Sequence, residues 1–175
     1  MDGHANNPQA DQSSESASEL DIQMMERALV LAQQAGELGE VPVGAVVYET
    51  ETGVVLGEGS NTRECDKDPA GHAEFIAILN ASRSIKDWRL NHCSLAVTLE
   101  PCVMCAGLIV NARIGRVIYG ADDPKAGAVR SLYRICDDER LNHRSAILTG
   151  VRASDSSALL KSFFKRLRDA HRESK

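Results

Sequence analysis

The chain has 175 residues, which is enough for one compact domain but too few for two of ordinary size. Hydrophobic residues make up 43% of it and charged residues 26%, and no run reaches the roughly 18 consecutive apolar residues of a membrane span. It shows no secretory leader pattern and has an odd number of cysteines, 5, so we expect a cytoplasmic protein with reduced thiols and no membrane partner.

The net charge of −5 disfavours binding of a polyanion over the whole surface, but the charge is unevenly distributed. Residues 1–20 carry −4 and contain no Lys or Arg, whereas residues 161–175 carry +4. The basic residues of this C-terminal segment are Lys161, Lys165, Arg166, Arg168, Arg172 and Lys175. They are consistent with a local contact to nucleic acid and equally with an ordinary solvated helix face.

The N-terminal residues are polar, with few large apolar side chains, and predict a disordered tail. From Asp21 an apolar residue recurs every three or four positions, which predicts an amphipathic helix that ends near Gly36 or Gly39. Ser18 or Asp21 is expected to cap its first turn. The predicted boundaries are a disordered tail at residues 1–19, one domain at 20–170 and a C-terminal tail at 171–175.

Short β-prone runs and apolar helical segments then alternate along the chain. Strands are predicted at residues 42–48, 53–59, 94–99, 115–121 and 146–151, and helices at 73–79, 102–111 and after a cap at Ser154 or Asp155. The first two strands should form an antiparallel hairpin, whereas the later strand-helix-strand order implies parallel pairing. Residues 122–144 predict a short helix with loops. This order predicts a three-layer α/β/α fold, with helices on both faces of a mixed five-stranded sheet.

Cys102 and Cys105 are three residues apart at the start of a predicted helix, and Pro101 is expected at its first position. This spacing places both sulfurs on one face of the helix, whose N-terminus favours the thiolate form that binds zinc. With His72 they make three ligands, which leaves the fourth position of a zinc ion for water. An open position is typical of a catalytic zinc site rather than a structural one.

Glu74 is the single acidic residue in the apolar run at 73–79, two residues after His72. Zinc lowers the pKa of a bound water to near neutrality, and a carboxylate at this position is placed to take up the proton. Burial should raise the pKa of Glu74, while the charge of the metal opposes that effect. We therefore predict that Glu74 is a general acid/base.

Each part of this pattern has an ordinary alternative when taken alone. A lone C-x-x-C also occurs in redox dithiols and in structural zinc sites, an isolated His72 is more often a core histidine, and Glu74 alone would cap a helix or pair with a neighbour. The combination of His-x-Glu with Pro-Cys-x-x-Cys on successive buried helices is typical of zinc-dependent nucleobase deaminases. The remaining cysteines have no second ligand nearby in the sequence and are predicted to be free thiols: Cys65, Cys93 and Cys136.

Three runs, residues 40–46 (EVPVGAV), 57–61 (GEGSN) and 97–107 (VTLEPCVMCAG), closely resemble the bacterial tRNA-specific adenosine deaminases, the TadA family. The likeness extends from about residue 21 to residue 168. It implies a cytidine deaminase-like fold and a homodimer with one Zn²⁺ per subunit. It also implies that the chain binds the anticodon stem-loop of a transfer RNA and converts adenosine to inosine at the wobble position.

The resemblance further implies roles for individual residues. His72, Cys102 and Cys105 would ligate zinc. Glu74 would move protons from water to the ring nitrogen and to the leaving amine, which departs as ammonia. Asn61 would hold the base. Further substrate contacts are implied for Ala73, Asp123, Lys125, Asn142 and Phe164.

Several of these positions also have ordinary interpretations. Asn61 would serve as a turn residue, Asp123 and Asn142 as polar loop residues and Lys125 as a solvated charge. For Phe164 the sequence favours a core position, because Leu160 and Leu167 share its stripe. The chain departs from the family pattern at Ser60, where relatives often carry Trp, and at residues 63–67. These departures concern local base contacts rather than the chemistry.

Two other functions use the same pattern differently. A deaminase of a free base or nucleoside, such as guanine or cytidine, would use the same zinc and glutamate. A non-catalytic scaffold subunit would bind zinc but lack the acid/base residue, and the presence of Glu74 disfavours it. An assay that offers free bases, nucleosides and transfer RNA separates the first alternative from the function that the resemblance implies.

Overall fold

The computed structural model describes residues 16–173, so residues 1–15 of the predicted disordered tail lie outside the described part of the chain, as do residues 174–175. The elements are α1 (Glu19–Glu37), β1 (Gly44–Glu49), β2 (Val55–Ser60), α2 (Arg63–Asp66), α3 (Ala73–Ile85), β3 (Cys93–Leu99), α4 (Val103–Asn111), β4 (Arg116–Ala121), β5 (Ala146–Thr149) and α5 (Ala153–Glu173). The expected C-terminal tail is thus helical as far as Glu173.

The five strands form one mixed sheet in the order β2-β1-β3-β4-β5. β1 pairs antiparallel with β2 and with β3, while β3, β4 and β5 are parallel. The predicted hairpin and the predicted parallel half are both confirmed. Helix α4 connects the parallel strands β3 and β4, so the C-terminal ends of these two strands lie at one end of the sheet, and the segments that follow them meet there.

Helices cover both faces of the sheet, as predicted. On one face, α3 and α4 bury Ile78 and Ile109 against strand residues that include Leu95 and Val117. On the other, α1 buries Met25 against the alternate residues of the same strands, such as Ala96 and Ile118, and α5 packs against β4 and α1. No helix within residues 16–173 is both long and apolar enough to cross a lipid bilayer.

Two glycines of β2 let α3 lie directly on the sheet. A Cβ on Gly57 would be 2.3 Å from the Ala77 carbonyl oxygen, and one on Gly59 would be 2.4 Å from the Ala73 carbonyl oxygen. A larger residue would therefore force the helix away from the strand. This contact fixes the N-terminus of α3 beside the end of β2, where Asn61 follows.

The structure corrects three local predictions and adds one short helix. Pro101 is not the first helical residue, because Cys102 has an extended backbone that pairs with Gly127, so that α4 begins at Val103. Neither Ser154 nor Asp155 caps α5, because the helix already begins at Ala153, after a turn in which Arg152 has a positive φ of 55°. The short helix expected within residues 122–144 is wrong, since no helix forms there, whereas α2 was not anticipated.

Candidate active site

His72, Cys102 and Cys105 lie together at the N-termini of two helices. His72 precedes α3 and Cys102 precedes α4, whose first turn contains Cys105. The His72 Nδ1 atom is 3.6 Å from each sulfur, and the three potential ligand atoms all lie within 4.8 Å of one another. Within residues 16–173 this is the one group of three or more such side chains that is close enough to share an ion.

The protonation of this cluster matches the donor chemistry of a zinc site. A hydrogen bond from the Cys105 thiol lowers the pKa of Cys102 to about 3, against the opposing effect of burial, and His72 lowers it further. The pKa of Cys105 is raised, because its thiol donates to Cys102 and because it is buried. The hydrogen bond to Cys102 also raises the pKa of His72. A thiolate, an adjacent thiol and an imidazole are soft donors that fit zinc, which displaces their protons when it binds.

Glu74 lies in the first turn of α3 beside this cluster, with only 4% of its surface exposed. Burial raises the pKa of its carboxyl group to about 7, and the negative charge of Cys102 acts in the same direction. A carboxyl group with a pKa near neutrality both accepts and donates protons at physiological pH. Glu74 therefore has the properties of a general acid/base.

A cavity of about 200 Å³ opens at the cluster. The predicted substrate residues Asn61, Ala73 and Asp123 line it together with His72, Glu74 and Cys102. The apolar side chains of the cavity wall were not singled out from the sequence: they are Val41, Val43, Leu99 and Ala126. An apolar slot with a few convergent polar groups suits a flat heteroaromatic ligand.

Three other predicted contacts do not line the cavity. Lys125 is exposed at its edge, where its backbone N–H donates to the Asp123 carboxylate at 2.9 Å. Asn142 accepts a hydrogen bond from Arg113 at 2.6 Å and lines a separate hollow beside α4. Phe164 is 43% exposed on α5, whereas the adjacent Phe163 is buried, so the alternative of a core position for Phe164 is wrong.

Glu40 is a buried carboxylate that fixes the orientation of Asn61. It accepts hydrogen bonds from Asn61 Nδ2 at 3.2 Å and from the Cys65 backbone N–H at 2.6 Å. Burial alone would raise the pKa of Glu40, but hydrogen bonds from Cys65 and from the Glu64 backbone lower it. Because an ionised carboxylate only accepts, the amide nitrogen of Asn61 must face Glu40. The amide oxygen and the second N–H then remain for a ligand.

Sequence reasoning missed Glu40 and a second buried carboxylate, Glu100, which also lines the cavity. Both are satisfied largely by backbone N–H groups of irregular segments. Hydrophobic periodicity does not locate such segments, so it did not reveal these contacts. The available signal was an acidic residue directly before Pro101, at the end of an apolar strand.

The chain is similar to known deaminases over nearly its whole length. The MafB19-like deaminase family matches residues 20–168. A tRNA-specific adenosine deaminase of Haemophilus influenzae is 44% identical over 152 residues, which is 87% of this chain and 87% of the relative. One of Bacillus subtilis is 39% identical over 144 residues, covering 82% of this chain and 88% of the relative.

Solved structures give the same result. A chain from a study of A-to-I editing by tRNA:A34 deaminases at the wobble position superposes with a TM-score of 0.75 and 41% identity, covering 79% of this chain and 99% of its own length. A guanine deaminase from Nitrosomonas europaea superposes with a TM-score of 0.71 but only 21% identity, covering 85% of each chain, so its likeness concerns the fold alone.

Proposed function

The chain belongs to the tRNA-specific adenosine deaminases, and on this basis we propose that it deaminates adenosine at the wobble position of a transfer RNA anticodon. The reaction consumes one water, breaks the C6–N6 bond, forms a C6–O bond and releases ammonia, leaving inosine. The observation that carries the proposal is the buried carboxyl group of Glu74 in a cavity beside His72, Cys102 and Cys105.

We assign one Zn²⁺ per subunit to His72, Cys102 and Cys105, because two sulfurs and one imidazole nitrogen are the donors that zinc prefers. When bound, zinc supplies the Lewis acidity that brings the pKa of water close to neutral. Glu74 accepts a proton from the attacking water and delivers it to the ring nitrogen of the base. It then takes up the second proton of that water, from the hydroxyl group now on C6, and transfers it to the departing amine, so one carboxyl group serves both directions of transfer.

The cavity wall accounts for how an extruded base would be held. Asn61, oriented by Glu40, offers an amide oxygen and an N–H to the edge of the base, while Val41 and Leu99 supply apolar surface for its faces. A base in an anticodon loop is already poorly stacked, so moving it into the cavity costs less than extrusion from a duplex. Asp123, at the cavity wall, remains in the proposed set of substrate contacts.

Exposure at the surface supports RNA contacts at three further positions of the proposed set. Lys125 is exposed beside the Asp123 loop, Asn142 is exposed near α4, and Phe164 presents an exposed ring among the basic residues of α5. Exposed aromatic and basic side chains are the usual contacts to unpaired bases and phosphates. We propose that these residues contact the anticodon stem-loop, which also implies a cytoplasmic location.

We also propose that the protein is a homodimer, in which a second copy covers the outer face of α4. Val103 on this face is 51% exposed, and an apolar hollow beside it is lined by Phe75, Leu108, Ile135 and Leu141. Exposed apolar surface of this kind marks interfaces between proteins. Sedimentation of the wild type and of Val103→Glu tests this proposal. We expect a dimer and a monomer respectively, and a monomeric wild type would refute it.

The test of the proposed activity is incubation of the zinc-loaded full chain with total bacterial transfer RNA, free adenosine and free guanine, followed by detection of inosine and ammonia. We expect inosine at the wobble position and no turnover of the free compounds. Glu74→Ala should abolish turnover and retain one zinc per chain. Retained activity in that variant would remove Glu74 from the mechanism, and loss of its zinc would indicate a structural role for Glu74. Turnover of a free base or nucleoside alone would replace the proposed substrate.

A further inference from the structure

Glu100 is a buried carboxylate that directly follows β3 and precedes the turn that carries Cys102. Only 2% of its surface is exposed. A buried carboxylate is costly unless its oxygens accept hydrogen bonds. The proton transfers are assigned to Glu74 and do not involve Glu100. The burial of a charged group in the cavity wall therefore needs another explanation.

The two oxygens of Glu100 accept five hydrogen bonds from a single irregular segment. Oε1 accepts from the backbone N–H groups of Val129, Arg130 and Ser131, at 3.1, 2.7 and 2.9 Å. Oε2 accepts from the backbone N–H of Asp123 at 3.0 Å and from the Ser131 hydroxyl group.

The same segment contacts the ligand turn. Gly127 pairs with Cys102, and the Ala128 backbone N–H donates to the Pro101 carbonyl oxygen at 2.8 Å. A Cβ on Gly127 would lie 2.2 Å from Glu100 Oε2. The backbone at Gly127 therefore packs directly against the carboxylate, and a residue with a side chain does not fit there without a shift. Since no helix or strand forms between β4 and β5, these contacts determine the path of the segment.

We propose that Glu100 is a positioning residue that holds the Asp123–Ala126 wall of the cavity against the ligand turn. Asp123 and Ala126 both line the cavity, and Asp123 is tied to Glu100 through its backbone. Release of the segment would displace this wall from the base while the zinc ligands stay at the N-termini of α3 and α4. The inference rests on the proposed deaminase function and adds to it the element that shapes the base site.

The experiment compares zinc-loaded wild type with Glu100→Gln and with the matched control Ser131→Ala. Glutamine keeps the shape of the side chain but places an amide N–H group against N–H donors. We expect kcat/KM for an anticodon stem-loop to fall by about 10- to 100-fold in Glu100→Gln, as for a displaced binding wall, with one zinc retained per chain. Ser131→Ala loses one hydroxyl contact and keeps four backbone contacts, so it should stay within about threefold of wild type.

Binding without turnover separates positioning from chemistry. In a Glu74→Ala background, Glu100→Gln should raise the Kd for the stem-loop. If Glu100 acted only in proton transfer, the Kd would not change. Gly127→Ala keeps the carboxylate and disturbs the same contact from the segment side. It should produce a similar loss, and the double variant should be no worse than the more severe single one. Gly127→Ala also tests the inference if Glu100→Gln does not fold.

An unchanged kcat/KM in both Glu100→Gln and Gly127→Ala would overturn the inference. Loss of zinc in proportion to activity would also overturn it, because Glu100 would then support the ligand turn rather than the wall. Absence of inosine formation by the wild type is a different result, which refutes the proposed function itself.

Discussion

The basic part of α5 provides a quantitative test of RNA contact. Lys165, Arg166 and Arg168 are exposed, and none of them forms an ion pair within residues 16–173. Their charges are therefore available to phosphates. We predict that replacing all three with alanine weakens binding of an anticodon stem-loop and flattens its dependence on salt.

The expected magnitude follows from counterion release. Each phosphate contact to a single strand contributes about 0.7 to the slope of log K against log salt, so losing three contacts lowers the slope by about 2. Between about 50 and 200 mM salt, a fourfold change, a slope difference of about 2 corresponds to about 16-fold in affinity. The affinity of the wild type for the stem-loop should thus exceed that of the variant most at low salt. The ratio of the two affinities should fall by about 16-fold at the higher salt concentration.

Binding of a labelled stem-loop at four salt concentrations measures the slope. The matched control removes three exposed cations at the C-terminal end of α3, away from the cavity: Arg83→Ala, Lys86→Asn and Arg89→Ala. Asparagine is chosen for Lys86, which has a positive φ of 57° that asparagine tolerates. Equal slopes for the two triple variants would show that α5 is an ordinary solvated face.

Three further predictions concern buried groups. Asn61→Asp places a carboxylate near Glu40, and a repulsion of about two pKa units would raise the pKa of the new acid to about 6, so that about one tenth of it is neutral at pH 7. The kcat/KM relative to wild type should fall about tenfold at pH 7 and recover in acid, and a loss independent of pH would contradict this cause. Although burial would raise the pKa of Asp21, hydrogen bonds from Arg116 and from Ser18 at the helix cap lower it. The stabilisation of the fold by this carboxylate is therefore fully present above its unfolded pKa of about 4, and it is lost as pH falls through the folded pKa. Asp21→Asn should cost about 3 kcal/mol in urea unfolding at pH 7 and reduce the acid dependence, and an unchanged pH profile would refute this. Gly57→Ala should lower the free energy of unfolding by about 1–3 kcal/mol, because its Cβ would meet the backbone of α3; a melting temperature equal to that of wild type would refute this.

The parts of the fold that could be predicted from sequence have a strong period or a local cap. The apolar spacing after Asp21 located α1, and Ser18 does cap it through a reciprocal hydrogen bond with Asp21. The pattern of β-prone runs and helices gave the mixed sheet. The ends of helices were less accurate where tertiary contacts decide them, as at Cys102, whose pairing with Gly127 delays the start of α4.

The candidate site divides in the same way. The chemistry of the site could be predicted from the spacing of four residues, because each of their side chains acts directly on a metal or a proton: His72, Glu74, Cys102 and Cys105. The residues that shape the cavity act through contacts that are distant in sequence. Glu40 reaches across 21 positions to Asn61, and Glu100 across 23 or more to its segment. No local pattern records such pairs, so they emerge only from the folded chain.

Glu74 and Glu100 line the cavity, Glu40 contacts its lining residue Asn61, and the surroundings of these three buried glutamates give them different charges. Backbone N–H groups converge on Glu40 and Glu100 and stabilise the ionised form, so the pKa of each is lowered despite burial. Glu74 has no comparable set of donors within residues 16–173, and burial raises its pKa to about 7. Near neutral pH the first two are permanent anions that order the walls, while Glu74 can exist in both forms. Glutamine resembles the protonated form of Glu74, which is populated near neutral pH, but it does not resemble ionised Glu40 or Glu100. The same substitution should therefore impair turnover at Glu74 and substrate binding at Glu100.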